Sequence, residues 1–179
     1  YKEIEITHFG NDAGTREYGE TVSSVTLSWK TNKTPTSLYI NSESIDVSST
    51  NKEYTGLSVT KDSSIVWTLM ALDEREKSVT KATSVVFYNG VYYGVASMPD
   101  DYDSAFVLGL IKELRSNKKP SFSVNAGEGE YIFYCVPVRM GQCSFSVGGF
   151  TGGFSLVKTL EFENASGYKE NYYIYKSDN

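Results

Sequence analysis

Residues 20–32 have the sequence ETVSSVTLSWKTN, and their pattern is the clearest indication of fold in the first half of the chain. Val25, Leu27 and Trp29 alternate with polar residues, and Val22 precedes them. Successive side chains of a strand point to opposite faces, so this pattern predicts a strand with one buried face. The partner of that face must come from elsewhere in the chain.

Similar segments lie on both sides of this stretch. IEITHF precedes it, and SLYI, SIDVS, KEYTGLSV, IVWTLMALDE and EKSVTKATSVVF follow, each bounded by turn residues. Short strands at a spacing of about 8–12 residues are typical of an all-β sandwich. We therefore predict a β-sandwich over residues 1–87.

Two motifs in this half resemble the fibronectin type III and related immunoglobulin-like domains. Tyr54-Thr55-Gly56-Leu57 followed by Trp67-Thr68-Leu69-Met70-Ala71 resembles their turn into an aromatic-led strand, and Trp29 sits where they commonly place a core tryptophan. The resemblance implies an Ig/fibronectin-III-like sandwich with Trp29 and Trp67 as structural residues. It also implies a spacer or presentation module.

Residues 88–179 predict a second, β-rich (α+β) domain. Asn89-Gly90 is a strong hairpin dipeptide, so the aromatic run around it is expected to be a strand pair or a strand with a turn. The stripe of Phe106, Val107, Leu110, Ile111 and Leu114 predicts one packed helix over about 103–116, with Asp103 as N-cap. Strands are then expected again, beginning with SFSVNA and EYIFYCVPV.

Composition limits the classes of function. The net charge of −5 and the pI near 5 argue against a nucleic-acid binder. No apolar run reaches the roughly 18–20 residues of a membrane span, so we expect no membrane insertion. YKEIEI is no signal peptide and begins like the interior of a strand, so we expect a piece of a longer protein.

Few residues are suited to catalysis or metal binding. His8 is the single histidine, and Cys135 and Cys143 are expected to be free thiols. Asp100, Asp101 and Asp103 are the best metal candidates, but acids before a helix are already expected as caps. The two glutamates of LEFEN are expected to share a solvent-facing side of a strand and the two of AGEGEY to flank turn glycines, so neither pair is expected to be hydrolytic. We therefore predict no catalytic residue, no cofactor and no metal.

Tyrosines of the second half could form a binding surface. Tyr92, Tyr173 and Tyr175 lie in aromatic runs and could stack against sugars, although alternating aromatic residues also fill cores. Both interpretations stay open at this point.

The stretch GGFTGGF at 148–154 lacks the lysine and the following helix of a phosphate-binding loop. We predict a corner of a sheet instead. Glycines such as Gly149 and Gly152 would take left-handed backbone positions, and Phe150 and Phe154 would pin the bend to the core.

A second resemblance covers most of residues 18–178. The runs NGVYYGV, YDSAF with LGL, GEYIFY, VGGFTGGF and NASGY resemble C-terminal segments of bacteriophage and prophage tail and structural proteins, where they follow an Ig-like module. It implies a non-enzymatic fibre, baseplate or receptor-binding module located in the virion tail. Its expected partners are other tail proteins or further copies of itself, and a host-surface glycan.

The alternative is a carbohydrate-binding or adhesion accessory domain of a secreted or cell-surface bacterial protein. A glycan-degrading enzyme is disfavoured by the lack of a usable histidine or carboxylate pair.

Overall fold

A computed structural model describes all residues from 1 to 179. Strands hold 51% of the chain and helices 4%, so the prediction of a mainly β protein is confirmed. The chain forms two compact units. The first unit contains Tyr1–Arg16 and Glu20–Phe87, and the second contains Glu17–Gly19 and Tyr88–Asn179.

The first unit is a β-sandwich of two antiparallel sheets. The first strands along the chain are β1 (Ile6–Asn11), β2 (Thr15–Glu17), β3 (Val25–Thr31), β4 (Ser37–Ile40), β5 (Glu43–Ser44), β6 (Asn51–Tyr54), β7 (Val66–Leu72) and β8 (Ser78–Ser84). The boundary between the two units falls within β2. One sheet has the order β1-β3-β6 and the other the order β5-β4-β7-β8.

Alternation in β3 and β7 builds the core of this unit. Val25, Leu27 and Trp29 of β3 are buried, and Trp67 and Leu69 of β7 are buried with them. The Trp29 indole N–H donates to the Ser49 carbonyl at 3.0 Å, so its polar atom is satisfied inside the core.

The second unit contains a larger antiparallel sheet and one short helix. Its elements are β9 (Val86–Ser97), α1 (Ser104–Leu108), β10 (Ile111–Arg115), β11 (Glu130–Pro137), a 3₁₀ turn (Val138–Met140), β12 (Ser146–Val147), β13 (Phe150–Thr151), β14 (Phe154–Glu163) and β15 (Lys169–Ser177). The sheet order of β9, β10, β11, β14 and β15 is β10-β9-β11-β15-β14. β12 and β13 pair only with each other.

Both faces of the larger sheet are covered. On one side, which we term the helix face, residues of α1 pack on a cluster of Tyr92, Phe133, Cys135, Phe162, Tyr172 and Ile174. On the other side, which we term the loop face, segments without regular structure pack on Val91, Tyr134, Val136 and Tyr175. Alternate residues of one strand therefore enter two different cores.

The predicted helix over about 103–116 is wrong in length. The helix begins as predicted, since the Phe106 N–H donates to the Asp103 carboxylate at 2.9 Å, but it ends at Leu108. Ile111–Arg115 instead pairs with Asn89–Tyr93 of β9. Pairing with a neighbouring strand thus overrides the helical spacing of apolar residues.

The predicted turn at Asn89-Gly90 is also wrong, because both residues lie inside β9. The buried Asn89 side chain donates to Glu170 at 3.0 Å and accepts from the Gly90 N–H at 3.0 Å. A Cβ atom on Gly90 would lie 2.7 Å from Tyr92 Cε1. Glycine is thus required here for close packing in a strand rather than for a turn.

Candidate binding surface on the second unit

The loop face is built by two segments that have no strand or helix, residues 116–129 and residues 141–145. Two buried tyrosines hold them in place. Tyr134 Oη accepts a hydrogen bond from the Lys119 N–H at 2.8 Å, and Tyr175 Oη accepts one from the Cys143 N–H at 2.9 Å. The strands therefore fix both segments through tyrosine hydroxyls that would otherwise be buried without a partner.

The same four residues, Ser-Phe-Ser-Val, occur within the first region and at the end of the second, where they continue into β12. We term residues 121–124 the first SFSV segment and residues 144–147 the second SFSV segment. The Phe122 ring stacks on Tyr134 with centroids 5.8 Å apart and 7° between the planes. The Phe145 ring packs edge-on against Tyr175 at 5.0 Å and stacks with Phe154 at 4.4 Å. Each segment thus carries one phenylalanine anchored to the aromatic core of the loop face.

A cleft of about 610 Å³ lies between the two SFSV segments, and all eight of their residues line it. This volume is in the range of small-molecule binding pockets. Phe122 and Phe145 are half-buried, so each ring keeps accessible surface that borders the cleft. A second cleft of about 570 Å³ shares Lys118 and Pro120 with the first, so both clefts flank the same segment.

The charges at the cleft come from two lysines, and no carboxylate lines it. Lys119 Nζ lies 3.0 Å from Glu113, which neutralises its charge. Lys118 Nζ donates to the Gln142 carbonyl at 3.0 Å and keeps its positive charge. The lining is therefore mostly neutral, with one cation.

Glu113 binds both Lys119, which lines the cleft, and Tyr93. The Tyr93 hydroxyl donates to Glu113 at 2.5 Å, and this hydrogen bond together with that from Lys119 lowers the pKa of Glu113 below its usual range. The same bond raises the pKa of Tyr93, and burial raises the pKa of Tyr134 to about 12. Both tyrosines are therefore neutral and Glu113 is ionised at neutral pH.

GGFTGGF forms a hairpin tip and the entry to β14, not a corner pinned by two phenylalanines. Gly148 and Gly149 take φ values of 56° and 85°, as a two-residue turn between β12 and β13 requires. Phe150 is 80% exposed, so its predicted role as an anchor is wrong. The hairpin pairs only with itself, and Phe150 therefore has no facing sheet to pack on. Phe154, in contrast, stacks on Phe145 as described above.

Gly152 also has a left-handed backbone, with φ of 105°. Its N–H donates to the Phe145 carbonyl at 2.8 Å, which continues the pairing of the hairpin beyond Ser146 and Thr151.

Of the three tyrosines considered as a binding surface, Tyr173 and Tyr175 lie together on the loop face, with ring centroids 6.0 Å apart, and Tyr92 lies on the other face of the sheet. Tyr92 is 1% exposed and lies on the helix face, where its hydroxyl has no hydrogen-bond partner. Tyr175 is 5% exposed on the loop face, beside the half-buried Tyr173. The binding-surface interpretation is therefore wrong for Tyr92 and Tyr175, and the alternative interpretation, that they fill the core, is correct for both because both faces of the sheet are covered.

The three aspartates suggested as metal ligands have separate roles. Asp103 caps α1, and Asp101 lies 3.2 Å from Lys158 Nζ on β14. Asp100 is exposed. No group of three or more histidine, cysteine, aspartate or glutamate side chains in the structure could hold a metal ion. None of its helices is long and apolar enough to cross a membrane.

Sequence comparison adds no relative to these observations. No protein-family model matches the chain, and no curated protein matches it in sequence. The fold and the surface define a mainly β protein that contains a β-sandwich and a second β unit with an aromatic cleft.

Proposed function

We propose that this chain is a non-enzymatic attachment module of a bacteriophage or prophage tail. In this proposal the first unit is an Ig/fibronectin-III-like spacer, and the loop face of the second unit contacts the host surface. The chain would act in the virion tail, beside other tail proteins or further copies of itself. No cofactor and no chemical step are required.

The observation that carries the proposal is the cleft between the two SFSV segments. Irregular segments held on a rigid sheet are the usual place for binding residues, since the sheet fixes their position and the segments vary freely. The sandwich order of β1-β3-β6 over β5-β4-β7-β8 suits a spacer, because it buries its apolar side chains in its own core. The resemblance of the glycine- and aromatic-rich runs to tail proteins gives the biological setting.

The test is to locate the protein. An antibody against the purified chain would be used for immunogold electron microscopy of phage particles induced from the strain that carries the gene. The proposal predicts label on the tails and none on the capsids. Label confined to the cell envelope or to particle-free medium would overturn it.

The second candidate is a carbohydrate-binding accessory domain of a secreted or cell-surface bacterial protein. It is favoured by the same cleft, whose aromatic and hydroxyl-bearing lining does not depend on a tail. The immunogold experiment separates the two, since the second candidate predicts antigen in the envelope or the medium.

A further inference from the structure

We infer that the cleft between the two SFSV segments is a saccharide-binding site. This inference rests on the proposed attachment function, because it names the class of ligand that the same surface would recognise. Three properties of the lining carry it: the aromatic rings, the unpaired polar groups and the charge.

The first property is a pair of supported aromatic rings. Phe122 is backed by Tyr134, and Phe145 is backed by Tyr175 and Phe154. Rings held in this way offer flat apolar surface with little rotamer freedom left to lose on binding. A sugar ring has an apolar face made of C–H groups, which packs against such a surface while its hydroxyls point elsewhere.

The second property is a set of polar groups without partners in the protein. The cleft is lined by Asn125 and by four serines, Ser121, Ser123, Ser144 and Ser146, and these side chains form no hydrogen bond with the protein. The backbone N–H groups of residues 121–126 also have no protein partner. Hydroxyls both donate and accept, as sugar hydroxyls do, so the two sets are complementary.

The third property is the charge of the lining, which excludes other classes of ligand. A cationic ligand would need carboxylates, and none lines the cleft. A nucleic acid or polyphosphate would need several free cations, whereas only Lys118 lacks an ionic partner. The single charge admits neutral saccharides and those that carry one carboxylate. A saccharide is the class that fits all three properties.

The experiment uses the full chain on an array of bacterial-surface oligosaccharides, both neutral and acidic. The best binder would then be measured by isothermal titration calorimetry. Phe122→Leu keeps an apolar side chain but removes the flat ring, and we expect it to raise Kd at least about tenfold. Phe122→Tyr keeps the ring and should retain binding.

Phe106→Leu is the matched control. Phe106 is also a half-buried phenylalanine of the second unit, but it packs on the helix face against Phe133 at 4.7 Å. Its replacement removes a similar amount of packing without touching the cleft, so Kd should change by less than about twofold. Tyrosine circular dichroism would establish that both variants are folded.

Two results would overturn the inference. One is that no saccharide on the array binds. The other is that Phe122→Leu and Phe106→Leu weaken binding equally. Failure of this inference can be distinguished from failure of the proposed function. Gold label on tails without saccharide binding would contradict the saccharide inference and leave the tail proposal standing. Saccharide binding together with antigen in the cell envelope would contradict the tail proposal and leave the saccharide inference standing.

Discussion

Replacing Phe150 and Phe154 separately by alanine tests the account of GGFTGGF. The two residues occupy equivalent places in the two halves of this stretch, Gly-Gly-Phe and Gly-Gly-Phe. A corner pinned by both rings predicts similar losses of stability. The hairpin predicts a large difference, because one ring is exposed and the other is stacked.

The magnitudes follow from burial. Full burial of a phenylalanine side chain contributes about 1.5–3 kcal/mol, so Phe150, which is 80% exposed, can contribute at most about 0.6 kcal/mol. Phe154 is half-buried and stacks on Phe145 at 4.4 Å. Half of that burial term plus an aromatic pair of about 0.5–1.5 kcal/mol gives an expected loss of about 2 kcal/mol for Phe154→Ala.

The assay must report on the second unit alone. Trp29 and Trp67 are the only tryptophans and both lie in the first unit, so tryptophan fluorescence in urea follows that unit and should not change. Amide hydrogen exchange in β11 and β15 gives the free energy of opening of the second unit. A loss above about 1.5 kcal/mol for Phe150→Ala, or equal losses for both variants, would refute the hairpin account.

Three further predictions concern stability. Gly90→Ala should destabilise the second unit by about 1–3 kcal/mol in amide exchange, because its Cβ would meet the Tyr92 ring; an unchanged value would contradict this close packing. Glu17→Ala should cost that unit about 1–2 kcal/mol in the same assay, because it removes a buried carboxylate 2.9 Å from Lys112; no loss would show that the pair contributes nothing. Burial would raise the pKa of Asp73, but hydrogen bonds from the Tyr1 hydroxyl and backbone N–H groups lower it to about 2. The first unit should therefore lose stability as pH falls from about 4 to about 2, and tryptophan-detected melts of Asp73→Asn should lack this loss.

The sequence pattern of a short segment was sufficient to predict features that depend only on neighbouring residues. Alternation in β3 predicted the buried Leu27 and Trp29, and the acid before the apolar stripe predicted Asp103 as the N-cap of α1. These predictions depend only on neighbours in the chain. The mainly β class followed from the same local signals repeated along the sequence.

Distant partners explain the predictions that failed. Asn89-Gly90 is extended rather than turned because Asn89 is hydrogen-bonded to Glu170, 81 residues away. Ile111–Arg115 is a strand because β9 lies beside it. The pattern of one short segment does not indicate which distant residues it will pair with. The helix and hairpin predictions were therefore consistent with the local sequence and still wrong.

The candidate site was missed for a similar reason. Alternation in β15 indicates that Tyr173 and Tyr175 share a face, but not that irregular segments cover this face. The repeated SFSV segments were visible in the sequence, yet each alone is compatible with an ordinary strand. Their repetition gained meaning only when the structure placed Phe122 and Phe145 on the same cleft.

The most direct test of the binding surface is a nuclear magnetic resonance titration of the ¹⁵N-labelled full chain with the best saccharide from the array. The account predicts that amide shifts change with saturation at residues 118–125 and 143–148, while the amides of α1 and of the first unit stay unchanged. Shift changes confined to the helix face or to the first unit, or no saturable change at all, would contradict it.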